Sequence, residues 1–433
     1  MLSTEENADL TRVGPGTVMG EFMRQYWIPA ALSTELPITD GSPMRVRLLG
    51  ENLIAFRSTS GNVGLVSDAC PHRGASLFFA RNEEDGLRCV YHGWKFDVTG
   101  RCVDMPSEPA ESNFKAKVRA RAYPCQERGG LIWAYMGSRD VPPLLPDIEA
   151  NMQENSSARA GMMDCSWLQA MENNMDTAHA GFLHFGAIPV DAPDEEFVKA
   201  YPDDWKNYIH YKSPRFDVIS APYGNSYDCS RPDQEGTTYH RIMNFLFPFF
   251  TMSPVPELRG GRRQCVATVP MDDEHTMSFG MTAGPAFVPP GEQRRSVDNA
   301  TGWYGRFRPT VDAANDYGID RELQRTDRTW RGYTGIASSV PDQDRAITET
   351  MGSVVDRSVE HLGTTDSMII QVRRGLLQAA RACQNSGNAA PGVDDPSLYR
   401  IRSGHIVLPN NVNVWEATRE LREEFEVPTM LRT

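Results

Sequence analysis

The sequence predicts an α+β fold in two parts: a small antiparallel β domain, then a larger domain whose antiparallel sheet is flanked by helices. Three observations carry this. Short β-type runs punctuated by Gly, Asn and Ser turns fill residues 44–137. The stretch VPPLLPDIEANMQENSS then reads as a linker, rich in Pro and Asp. Beyond it, apolar strand-like runs alternate with stretches of helical spacing. A chain of 433 residues suits two domains, and an apolar fraction of 40% suffices for their cores. The expected division is a helical lead-in over 1–40, a β domain over 41–150 and the larger domain over 151–433.

In order along the chain, Met19 to Trp27 has mixed apolar spacing and reads as a helix closed by Pro29. MRVRLLG, NLIAFRS, NVGLVSD and GGLIWAYMG read as strands of the first domain. Asp164 to Leu183 reads as a helix. HRIMNFLFPFF, interrupted by Pro248, RRQCVATVP and TMSFGMTAG read as strands of the second sheet. Residues 285–330 have the Pro, Gly, Asn and Asp content of a long loop. Ala346 to Glu360 and Ser367 to Cys383 read as helices.

The net charge of −13 repels nucleic acid and anionic membranes, so neither is expected as a partner. The opening MLSTEENADL has no basic or apolar region of a secretory signal, and no run approaches the length of a membrane span. A cytoplasmic protein is expected. Eight cysteines are too few for a disulfide scaffold in a chain this long, and are expected as free thiols or metal ligands.

The strongest motif is Cys70-Pro71-His72 followed, after sixteen residues, by Cys89-Val90-Tyr91-His92. Each half places a thiolate and an imidazole at a tight turn, with Gly74 and Gly93 free to turn the backbone. Together the halves offer two Cys and two His to one centre. Zinc accepts such a tetrahedral set. A Rieske [2Fe–2S] cluster takes Cys on one iron and His on the other. Zinc motifs usually pair like with like, whereas each arm here mixes one Cys with one His, which favours the cluster. Cys102, Cys125, Cys165, Cys229, Cys265 and Cys383 show no ligand spacing and read as buried small hydrophobes or free thiols.

The second motif is NNMDTAHAGFLH over 173–184. Asn173, Asp176 and His179 lie three apart and would share one helix stripe. His184 is five residues past His179, about 140° round a regular helix. Two imidazoles meeting one metal therefore require a bulge or helix end, and Gly181 is where that is expected. A two-histidine site with open positions is a fitting acceptor for a one-electron carrier, and a facial triad adds one carboxylate. Candidates lie in SSVPDQDRAITETMG: Asp342, Asp344 and Glu349. Ser339 caps a helix with Pro341 in its first turn, which sets Asp344 early in that helix, while Glu349 reads as a solvated helix residue.

CPHRGASL…CVYHGWKFDVTG resembles the Rieske arms of aromatic-ring-hydroxylating oxygenases, and N-x2-D-x2-H-x4-H resembles the mononuclear-iron motif of the same family. LTRVGPGTVMGEFMRQYWIPAAL and HLGTTDSMIIQVRRGLL extend the resemblance nearly end to end, to the phthalate dioxygenase-like branch. That branch includes aromatic-acid dioxygenases and ether-cleaving or O-demethylating enzymes. The resemblance implies a Rieske β domain and a helix-grip-like catalytic domain, with Cys70, His72, Cys89 and His92 on the [2Fe–2S] cluster. It implies Fe(II) on His179, His184 and Asp344, the Asp after Gln matching the family's third ligand. It also implies head-to-tail trimers, or hexamers of stacked trimers, in which Asp176 bridges His179 to His92 of the partner subunit. O2 is the co-substrate. No Rossmann or flavin motif is visible, so NAD(P)H acts only through a separate flavin/iron–sulfur reductase.

The substrate is expected to be a small aromatic acid, undergoing ring dihydroxylation or oxidative O-demethylation. TTYHRIMNFLFPFFTM would line a sheet facing the iron, with Arg241 gripping the carboxylate. Arg215 is a second candidate, and a structural ion pair is the alternative role for each. Asn173 is read as tuning the site from behind the ligands or as a plain polar helix residue. His210, His240, His275, His361 and His405 lack ligand spacing. The competing functions are a Rieske monooxygenase acting on a non-aromatic or N-methyl substrate, a Rieske electron carrier, and a zinc-bearing structural protein.

Overall fold

The computed structural model describes residues 2–109, 111–184, 186, 207, 211–253, 261–284, 297–327, 332–336, 339–387, 389–423 and 425. His210 lies outside them.

Helix α1 (Thr4–Thr11) starts in a capping box between Ser3 and Glu6, and α2 (Val18–Arg24) starts on the Thr17 hydroxyl. The helical pattern of residues 19–27 does not carry through to Trp27. Strand β1 (Trp27–Leu32) begins there, fully buried. It pairs with Leu131–Tyr135, and the register shifts between Pro29 and Ala31. A bulge is where a sheet tolerates a residue without an N–H, so Pro29 sits in a strand instead of ending a helix.

Strands β2 (Met44–Leu48), β3 (Glu51–Arg57), β4 (Val63–Ser67) and β9 (Ala122–Tyr123) form one antiparallel sheet. A second joins β5 (Arg81–Glu83), β6 (Gly86–Arg88), β7 (Lys95–Phe96) and β8 (Cys102–Asp104). β1, β11 (Leu131–Tyr135) and β10 (Cys125–Arg128) make a third. Ile54, Phe56, Val66, Leu77, Leu87 and Phe96 form a core that also buries Cys70 and Cys89.

The middle of the stretch read as a linker is packed. Asp147 through Met152 are buried. The acidic groups that marked it as polar have basic partners: Glu149 Oε2 accepts from Arg263 Nε and Arg402 Nε, each at 2.8 Å, and Arg400 Nη2 lies 2.7 Å from Asp147. Pairing of this kind lets carboxylates be buried.

The large sheet runs β12 (Ser157–Met163), β18 (Thr276–Ala283), β17 (Arg263–Pro270), β16 (Phe250–Met252), β15 (Thr237–Leu246), β14 (Gly224–Pro232), β13 (Arg215–Ala221). β21 (Gly404–Pro409) pairs with the first part of β15, and β19 (Val297–Asp298) with β20 (Arg308–Pro309). Helix α3 (Trp167–Met175) packs on β16 and β17. Helix α5 (Val340–Thr350) packs on α3, and α6 (Ser367–Ser386) on β13 and β14. The fold is thus α+β, an antiparallel β unit followed by a helix-flanked antiparallel sheet.

Two helices are shorter than their sequence patterns. Asp164–Leu183 is broken: α3 stops at Met175, Asp176 is extended (ψ 128°), and α4 (Ala180–Leu183) is a single turn. The break precedes His179, so Asn173, Asp176 and His179 do not share a stripe, and Gly181 is not the bulge. Asp176 makes the break itself, its Oδ1 accepting from Ala178 N at 2.7 Å. In 346–360 the helix has already ended at Thr350, with Gly352 at φ 100° just beyond. Among the described residues, no helix is long and apolar enough to cross a membrane.

Candidate metal centres

The two Cys–His arms fold alike. Cys70 N donates to Ala75 O (2.8 Å) and Gly74 N to Cys70 O (2.8 Å). Cys89 N donates to Trp94 O (2.9 Å) and Gly93 N to Cys89 O (2.9 Å). Gly74 and Gly93 have φ of 77° and 76°, the left-handed conformation that closes each loop. A Cβ on Gly93 would stand 2.6 Å from Pro106 Cγ, whereas one on Gly74 meets nothing within 4 Å.

The loops face each other. The rings of His72 and His92 are 4.3 Å apart, and Trp94 stacks on His72 at 4.2 Å. Burial, then the neighbouring Cys89 thiol, pushes the Cys70 thiol up to about 11. His72 Nδ1 and His92 Nδ1 are buried without hydrogen-bond partners. Two adjacent buried thiols and two orphaned imidazole nitrogens are the donor set of a Rieske cluster, and they fit it.

The second centre forms where the two ends of α4 meet α5. His179 Nε2 and His184 Nε2 each lie 3.3 Å from Asp344 Oδ1. The ligand atoms of these three residues lie within 4.8 Å of one another, close enough to hold one metal ion. The five-residue step is accommodated because His179 and His184 cap opposite ends of the one-turn helix α4. Asp344 comes from the first turns of α5, which Ser339 caps at Asp342 N.

The electrostatics match a cation site. Burial works against ionised His179, but Asp176 and Asp344 outweigh it and push the imidazole up to about 10. Burial works against ionised Asp344, but His184 and His179 hold it far below the usual carboxylate range. Asp344 Oδ1 is buried without an aligned donor. An acceptor-only oxygen between two imidazole nitrogens fits a divalent iron.

Asp176 Oδ2 approaches His179 Nδ1 at 3.2 Å, at an ion-pair distance that lacks hydrogen-bond alignment. Behind the other imidazole, His184 Nδ1 is 2.9 Å from Gln343 Oε1. Sequence reasoning passed over Gln343, whose one signal is adjacency to Asp344. Asn173 is half-buried, and its side chain forms no hydrogen bond among the described residues. The other carboxylates serve α5: Asp342 binds Ser339 Oγ (2.7 Å) and Arg345 Nη2 (2.9 Å). Glu349 is not solvated. It accepts from Asp164 N (3.0 Å) and Tyr317 Oη (2.9 Å), and burial raises its pKa.

The sheet separates the two arginines. Cys229 Sγ lies 2.7 Å from Thr177 Oγ1, two residues before His179, so this face of β14 looks toward the second centre. Arg241 is opposite Cys229 in register and therefore on that face, with a relative exposure of 9%. Arg215 is opposite Ser230, on the other face, and exposed. It is not brought to the site. His240 pairs with buried Asp228 (2.7 Å) and His275 with Asp272 (2.8 Å), both away from the metal-binding group.

The Rieske [2Fe-2S] domain model matches residues 26–124 and the LigXa C-terminal domain like model residues 134–431. The 3-chlorobenzoate-3,4-dioxygenase oxygenase subunit of Comamonas testosteroni is 43% identical, covering 98% of this chain and 99% of its own length. The phthalate 4,5-dioxygenase oxygenase subunit of Pseudomonas putida is 37% identical, covering 95% and 94%. The solved structure of the Pseudomonas putida CBB5 NdmA QL mutant with caffeine shares the fold, with TM-score 0.58 and 18% identity over 92% of this chain and all of that one. With both metal-binding constellations assembled and relatives matching from end to end, the chain belongs to the Rieske non-heme iron oxygenases, as a phthalate dioxygenase-like terminal oxygenase subunit that carries a [2Fe–2S] cluster and a mononuclear iron.

Proposed function

We propose that this oxygenase subunit oxidises an aromatic carboxylic acid and that Arg241 anchors the carboxylate. The observation that carries the proposal is a buried guanidinium on the sheet face that also touches the iron-binding segment. Burial, then the charge of Arg241, pushes the facing His405 down to about 4, so near neutral pH the positive charge resides on the arginine. A bidentate arginine matches a carboxylate in geometry and charge. The names of the two relatives, a chlorobenzoate and a phthalate dioxygenase, agree with this class.

Cys70 and Cys89 would hold one iron of the cluster, and His72 and His92 the other. His179, His184 and Asp344 would hold the mononuclear iron, leaving positions open on it. That iron supplies the binding and activation of O2. Arg241 fixes the acid group, and with it the direction in which the ring projects. Tyr227 and Met243, buried on the same face, keep water from that wall. Asp176 holds His179 from behind, while Asn173, in the last turn of α3, makes no side-chain hydrogen bond to either and fits the role of a plain polar helix residue.

Electrons would come from a separate flavin/iron–sulfur reductase. We assign head-to-tail trimers, alone or stacked as hexamers, in which Asp176 connects His179 to His92 of the partner subunit. The partial exposure of Asp176, 26%, is compatible with such a junction. The boundaries near residues 40 and 150 are retained in this proposal, with β1 of the lead-in tied by pairing to β11.

Single turnover of pre-reduced protein with O2 tests the reading, with 3-chlorobenzoate, phthalate isomers, methoxybenzoates and phenoxybenzoates as substrates. A gain of two oxygens and two hydrogens identifies ring dihydroxylation, and release of formaldehyde identifies O-demethylation. Arg241→Met should raise KM for the acid far more than for its methyl ester. Iron-replete protein that turns over none of the acids, or prefers the esters, overturns the aromatic-acid assignment and leaves the non-aromatic or N-methyl class.

A further inference from the structure

Helix α5 meets His184 with two consecutive residues. Asp344 Oδ1 faces Nε2 at 3.3 Å, and Gln343 Oε1 faces Nδ1 at 2.9 Å. Gln343 is 4% exposed, and its amide orientation is determined by the loop ahead of α5. Its Nε2 donates to Ile336 O at 2.8 Å and to Thr334 Oγ1 at 3.2 Å. A backbone carbonyl only accepts, so the NH2 end must point at Ile336 and the oxygen at His184. The amide oxygen also only accepts. His184 Nδ1 must therefore carry the ring proton, which leaves the Nε2 lone pair directed at Asp344 and His179.

We infer that Gln343 is a positioning residue: it holds His184 as the Nδ1–H tautomer and so selects Nε2 as the iron ligand. The inference rests on the assignment of His179, His184 and Asp344 to the mononuclear iron. The two imidazoles are then backed differently. His179 has a carboxylate behind it, Asp176, and His184 a neutral amide. Asp176 and Asp344 already place two carboxylates beside these rings. A neutral acceptor orients the second ring without a third charge to desolvate.

The test compares iron(II) affinity of the mononuclear site in otherwise intact protein with its Rieske cluster loaded. Gln343→Met keeps the volume and removes the acceptor, and should weaken iron(II) binding by about 10- to 100-fold. Gln343→Glu restores an acceptor oxygen and should return affinity to within about tenfold of the parent. Unchanged affinity in the Met variant overturns the inference. So does a Glu variant as weak as the Met variant, since that would mean the amide acts only through its donors to the loop. Asp344→Ala serves as the control: if it keeps iron, the site assignment fails and this inference with it. Should the Met variant not fold, the unaltered chain still decides. With zinc at the mononuclear site and 15N-labelled histidine, His184 should show its one-bond proton correlation at Nδ1, and a proton at Nε2 refutes the inference.

Discussion

Arg47 Nε of β2 lies 2.6 Å from Asp272 Oδ2, in the turn between β17 and β18, so one ion pair joins the Rieske half to the catalytic sheet. Asp272 also accepts from Tyr304 Oη (2.7 Å) and contacts His275 Nδ1 (2.8 Å). Burial works to raise the Asp272 pKa, but His275, Arg47 and Tyr304 outweigh it and hold it far below its ordinary value of 3.8. A carboxyl lowered on folding stabilises the native state above its unfolded pKa, and the contribution falls away as pH drops toward the folded one. Asp272→Asn should cost about 1–3 kcal/mol at pH 7. The gap between parent and variant should be constant from pH 7 to about 5 and narrow below pH 4, as read by urea unfolding. A gap that widens on acidification would contradict this account.

Asp344→Asn should strip the mononuclear iron and spare the cluster. Metal analysis should fall from about three irons per chain to about two, with the Rieske visible and EPR signals intact. Product formation should vanish while the cluster still accepts electrons. Retention of the third iron would show that His179 and His184 are anchored by another carboxylate.

Asp176→Asn keeps the size of the side chain and the Asx turn to Ala178, and removes the charge beside His179. With both metals bound, turnover under excess reductase should drop by at least about tenfold. Parental turnover in an iron-replete variant would remove Asp176 from the electron path.

Gly74→Ala and Gly93→Ala should separate backbone strain from crowding. Each forces a left-handed residue, at about 1–2 kcal/mol. Only the second also drives a methyl to 2.6 Å from Pro106. Cluster absorbance per chain should therefore fall much further in Gly93→Ala. Equal losses would mean that Pro106 yields freely.

Glu172 lies one turn ahead of Asp176, with Arg373 Nε at 2.6 Å and Arg357 Nη2 at 2.9 Å. Its carbonyl also accepts from Asp176 N (2.9 Å), so the helix end that feeds the iron site hangs on this residue. Glu172→Gln leaves two buried guanidinium groups without their shared counter-ion and should cost about 3–5 kcal/mol by denaturant midpoint. A cost below about 1 kcal/mol would show that Glu360, 2.5 Å from Arg373, compensates.

The Cys–His arms were legible because each is local: Cys, His and turn glycine lie within a few residues, and the loops they predict are the loops observed. His179 and His184 were legible for the same reason. The break between α3 and α4 was not, because NNMDTAHA carries no Gly or Pro, and Asp176 ends the helix through its own side chain. Singling out Asp344 needed family resemblance, since Asp342 and Asp344 differ only in which way α5 turns them. Gln343 was out of reach because its partner is 159 residues away. The same holds for the buried 147–152 segment: its acidic residues look solvated until Arg263 of β17 and Arg400 and Arg402 of the loop before β21 arrive from far along the chain.

That segment has a kinetic corollary. With Glu149 clamped by two arginines and Asp147 by a third, the connection between the two halves is a strut and not a hinge. A Rieske head on a free tether could swing to meet its acceptor, and its reaction would slow as solvent thickens. A head joined through such a strut is expected to transfer electrons without swinging, and the transfer rate should be indifferent to viscosity.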